Sequence, residues 1–166
     1  MYLFMISCYV MMIFNLMNLF ISITMGIWNF SVFGANHAQF SLFAILIFVL
    51  TETLVMYFFI ATGKSIKAIL TAQNTLDAAK LWEDIKYIKK LIFPQIMLTI
   101  SLIGGLYIFY FGYIISNATD GNILQYTWVL LPLILISIIQ HLWSLKIKND
   151  SFKMQIDIVS KISSGS

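Results

Sequence analysis

Between Tyr2 and Phe30 the chain carries no charged residue at all, and three more long apolar runs follow. Each is long enough to cross a hydrocarbon layer of about 30 Å, which takes roughly 20 apolar residues in a helix. In that solvent every backbone amide must find its partner inside its own segment, so the runs predict helices. With 60% hydrophobic and 10% charged residues among 166, little is left over for a soluble domain. The expected fold is all-α: a single integral membrane domain, residues 1–166, with four transmembrane helices at about 3–28, 40–62, 92–115 and 126–145.

Lysine placement orients the chain. The net charge of +3 comes from ten lysines and no arginine. All ten fall in a middle segment, 63–91, and a tail, 146–166, while the stretches 31–39 and 116–125 hold none. Lysine-rich flanks stay inside, so N and C termini are expected on the cytoplasmic or matrix side of a bacterial or organellar inner membrane. The first run lacks the basic start and small-residue cleavage site of a signal peptide, which predicts a retained span. Trp28, Tyr126 and Trp128 on one side, and Trp82, Tyr87 and Trp143 on the other, fit interfacial belts.

Inside the middle segment, Leu81, Ile85, Ile88 and Ile92 recur at helical spacing against a lysine-rich opposite face. An amphipathic helix over 76–93 is expected between spans 2 and 3, lying at the inner interface and bending at Pro94 into the third span. Asn74 or Thr75 would cap it. Phe152, Ile156, Val159 and Ile162 repeat the pattern more weakly in the tail, and 163–166 reads as a disordered end. Thr62-Gly63-Lys64-Ser65 imitates the end of a phosphate-binding loop, but Phe58 stands where that loop needs glycine. The expectation is instead a helix ending at Gly63 with Lys64 among lipid headgroups.

Glu52 is the first candidate for function. A carboxylate near the middle of a span costs at least a few kcal/mol, so it must be protonated, partnered or in contact with water. Asn15, Gly104 and Ser137 fall at similar depth, and a hydrogen bond between Asn15 and Glu52 is expected. Asn15, Asn18 and Ser22 share a face of the first span, facing inward or toward a partner. Glu52, Asn15, Asn18 and Ser137 thus form a candidate ion or partner site. Gly104, Gly105 and Gly112 predict close helix packing in the third span.

His37 and His141 suggest haem b, or a quinone, at an interface, yet the topology sets them near opposite ends of their spans, so one iron between them is not expected. No HExxH or paired CxxC occurs, so no metal site and no catalytic motif is predicted. Cys8, the single cysteine, reads as a small buried hydrophobe. Asn29 and Asn117 open glycosylation sequons of chance frequency. The lysines have an interfacial use, and no nucleic acid is expected. The short outer stretches and the lack of a catalytic motif lead to the expectation of a non-catalytic accessory or assembly subunit. Its expected host is a larger membrane complex of respiratory electron transfer, with lipid and other membrane subunits as partners. Two alternatives stand beside it: a small oligomeric proton or cation transporter using Glu52, and a haem- or quinone-binding electron carrier.

Overall fold

The computed structural model describes residues 2–28, 30–73, 76–115 and 127–164. They are almost entirely helical: α1 (Tyr2–Trp28), α2 (His37–Gln73), α3 (Leu76–Tyr107), which widens into a π-helix over Ile108–Ile115, and α4 (Thr127–Ser164). Four helices among the described residues are long and apolar enough to cross a membrane. Contacts gather into two units, residues 1–82 and residues 83–166.

The first unit is built on an antiparallel α1–α2 hairpin. Phe4 meets Phe58 edge to face at 5.4 Å, and the Ser22 and Ser41 hydroxyls bond at 2.7 Å. The connection is short and specified locally. Val32 and Ala35 exchange both backbone hydrogen bonds, at 3.2 and 2.9 Å, across Phe33 and Gly34. Both central residues have positive φ, 51° and 78°, the pattern of a type I′ turn. Gly34 accepts that conformation freely, whereas a side chain at 33 strains it. Asn36 then caps α2: its Oδ1 accepts the Gln39 amide at 2.9 Å, and its own amide donates to Gln39 Oε1 at 3.0 Å. This reciprocal capping box satisfies two of the donors that a helix start leaves open. Ala35 packs on the cluster of Met25, Phe40 and Ala44, so the residue before the cap and the fourth helical residue staple the entry.

α2 does not stop at Gly63, as its sequence suggested. It runs on to Gln73, with Gly63, Ile66 and Leu70 buried. Glycine inside a helix costs about 1 kcal/mol, less than burying even one of those large side chains returns. The predicted middle loop is therefore helical wherever it is described. The first turns of α3 do not form a separate element: the helix begins at Leu76 and continues through Pro94 without a break. Trp82 takes the Lys67 ammonium over its ring at 5.4 Å, tying this start to the end of α2 within the first unit. The proposed caps Asn74 and Thr75 lie outside the described residues.

In the second unit α3 buries Ile85, Ile88 and Ile92, as the amphipathic spacing predicted, and the same stripe continues through Ile96, Thr99 and Ile103, with Leu81 half-buried at the end of the first unit. The tail is not separate from the fourth span, because α4 is one helix of 38 residues that includes Ser163 and Ser164. Helices of this length reach about 55 Å, nearly twice a hydrocarbon layer. The lysines sit on the excess: after Gly63 in α2, before Leu91 in α3 and after Leu145 in α4.

Candidate functional site: two buried polar files

The hairpin of the first unit holds a series of polar side chains along its seam. α1 buries Cys8, Met12, Asn15, Asn18 and Met25, in steps that keep to one face. Against that face α2 sets Ser41, Ala44, Phe48, Thr51 and Val55, all buried, while Glu52, buried too, lies about 100° round the helix from Thr51. Asn15, Thr51 and Glu52 are each 0% exposed. Cys8 is buried and free, the role its sequence position predicted.

The expected hydrogen bond from Asn15 to Glu52 is not made, since neither polar atom of the Asn15 amide has a partner among the described residues. The hairpin register explains why. Thr51 donates to the Ile47 carbonyl at 2.7 Å and lies 3.4 Å from the Met11 carbonyl, so Glu52 sits about one helical turn from Asn15 along α1. Equal depth in two spans did not ensure equal level in the pair. Asn18 spends one donor on the Phe14 carbonyl at 2.8 Å. An enclosed amide with no partner costs about 1–3 kcal/mol, which makes Asn15 an uncommon residue to keep there.

His37 is the first residue of α2 and closes the end of this file next to the turn. Its imidazole donates to the Ser22 carbonyl. The ring also fills the space above Gly26, where an added Cβ would come within 3.1 Å of Cε1 and Nε2. A histidine used in this way straps two helices, and Gly26 is the residue that admits it. Sequence reading singled out His37 but gave Gly26 no part.

The second unit carries the other file, on α4. Ser137, His141, Ser144, Lys148, Ser151, Gln155 and Ile158 follow one another in alternating steps of four and three, and all seven are buried. That is the spacing of a helix seam, and six of its seven positions, all but Ile158, hold polar groups in place of the usual apolar ones. Lys148 departs from the interfacial use expected of the lysines, because it is 0% exposed. On α3, Gln95 accepts a hydrogen bond from Gln140 Nε2 at 3.0 Å, joining α3 to α4. Ser137 and His141 were candidates from sequence; Ser144, Lys148, Ser151 and Gln155 were not. Their signal was the continuous four-three spacing past the end of the apolar run.

Among the described residues, a Cβ at Gly104 or Gly105 would meet nothing within 4 Å. The surroundings of Gly112, and Asn29, Asn117 and Tyr126, lie outside the described residues. Among those described, no group of three or more His, Cys, Asp or Glu side chains is placed to hold a metal ion.

Fold and site together define an all-helical chain with four potential spans and ionisable groups in its interior. Compared with known protein families, with curated proteins and with solved structures, it matches none.

Proposed function

We propose that this chain is a multi-pass integral membrane protein that handles protons or small cations, with Glu52 as the group that takes up the charge. The observation that carries this reading is the complete burial of Glu52 in the apolar part of α2. A carboxyl enclosed at membrane depth is costly, and lipid-facing scaffold has no use for one. Its inward position also weighs against Glu52 as a contact for another subunit. The polar series from Glu52 through Asn15, Asn18, Ser22 and Ser41 to His37 gives such a charge neighbours that can accept or donate hydrogen bonds.

Four spans with every lysine on the excess helix length support both termini on the cytoplasmic or matrix side of an inner membrane. The start of α3 then stands beside α2 above the headgroups and does not lie flat on them. No part of this reading calls for an enzyme. The test is flux in proteoliposomes made from the purified full chain. Wild type should dissipate a proton or cation gradient, and Glu52→Gln should slow this by about a hundredfold or more, the usual scale for removing a proton-transfer group. A wild-type chain that carries no flux rejects the proposal.

A second reading keeps the chain as a non-catalytic subunit of a larger membrane complex, with respiratory electron-transfer machinery as host. It is favoured by Gly104 and Gly105, small residues in the apolar part of α3 with open space where another helix could approach. Native extraction followed by mass spectrometry decides it, because a chain recovered alone has no host.

A further inference from the structure

We infer that α4 holds a hydrated file, open to water from the lysine-bearing end of the chain and reaching inward through Ser151, Lys148 and Ser144 to His141. The serines carry the inference. Elsewhere in the molecule three buried or part-buried threonine hydroxyls close on the carbonyl four residues back: Thr51 on Ile47 at 2.7 Å, Thr62 on Phe58 at 2.6 Å and Thr99 on Gln95 at 2.8 Å. That bond is available to any serine or threonine in a helix. Ser144 and Ser151 do not make it. Each is 0% exposed, and neither hydroxyl has a partner among the described residues.

Two successive seam hydroxyls, turned from their own backbone and enclosed, are suited to bind water, which takes two to four polar partners at such sites. The residue between them is Lys148, whose ammonium is the most strongly hydrated group a side chain offers. Above and below, Gln155 and His141 continue the same face, so polar atoms recur at every seam position from 137 to 155, a rise of about 27 Å. A file of this kind would pass a proton by relay: His141 binds one at one ring nitrogen and releases one from the other, and each serine hydroxyl accepts a proton as it gives one up. What the file carries rests on the proton-handling reading above; its hydration does not.

Thiol accessibility tests the hydration directly. In a full-length Cys8→Ala background, Ser144→Cys and Ser151→Cys replace a hydroxyl with a thiol of nearly the same shape, and Ala44→Cys places one in the apolar cluster of the hairpin. A charged, water-soluble methanethiosulfonate applied to membranes reaches only thiols that meet water and can ionise. Ser151→Cys and Ser144→Cys should be modified at least about tenfold faster than Ala44→Cys, with Ser151→Cys the faster of the two. Rates equal to that of Ala44→Cys overturn the file. Modified thiols with no proton flux in wild type keep the file and reject proton handling, and flux lost in Glu52→Gln with unmodified thiols does the reverse.

Discussion

The α1–α2 hairpin and the α4 seam are both buried and both polar, yet they dispose of their polar groups in different ways. In the hairpin, Ser22 is bonded to Ser41, His37 to the Ser22 carbonyl, Thr51 to Ile47 and Asn36 to Gln39, so most groups are closed by a neighbour at a definite level. Asn15, whose amide meets no partner among the described residues, is an exception. Along α4 the exception becomes the pattern, with Ser144 and Ser151 both unclosed by any described residue. A closed polar group holds two helices in register. An unclosed one keeps a place for something that exchanges.

This contrast can be broken most forcefully at Phe48, a fully buried ring in the hairpin seam. Phe48→Ala should lower stability by about 3–5 kcal/mol, read from reversible unfolding in mixed micelles. A loss under about 1 kcal/mol would show that the hairpin is not the rigid partner in the comparison. Next in size, Asn36→Ala removes the capping box and should cost about 1 kcal/mol in the same assay. Ser22→Ala should cost about 0.6 kcal/mol, the average for a hydrogen bond between membrane helices.

The sharpest test of the difference is a small effect. Ser151→Ala should change stability by no more than about 0.5 kcal/mol, because a hydroxyl that already meets water loses little when deleted. A dry seam would instead be stabilised by about 1–3 kcal/mol when an enclosed, partnerless hydroxyl is removed. Last, Lys161→Ala breaks an exposed ion pair with Asp157 at 2.6 Å and should leave the unfolding midpoint where it is.

Much of the fold was legible in the residues. Uncharged runs gave the helices, lysine clusters matched their long ends, and Ile85, Ile88 and Ile92 were buried as their spacing required. Glu52 and Asn15 were recognised as interior groups, because a polar residue in an apolar run stands out. Their relative level was not legible, since it depends on how the turn at Phe33 and Gly34 sets the register. Gly63 misled because local rules weigh one residue's helix propensity and not the apolar face that continues at Ile66 and Leu70. Lys148 was missed for a related reason. A lysine just past a span reads as a headgroup anchor, and a seam made of Ser, His, Lys and Gln produces no hydrophobic period.

The turn that closes the hairpin has a consequence for how the chain is made. Every contact that specifies it, from the Val32–Ala35 bridge to the cap at Asn36 and the strap from His37 to Ser22, lies within about 20 residues of sequence. Contacts this local form early and quickly. The first two helices can therefore pair as soon as both have emerged from the ribosome, before the second half has been translated. On the membrane reading proposed above, the first two helices would then enter the lipid as a pair, with the seam groups Ser22, Ser41 and Thr51 already bonded.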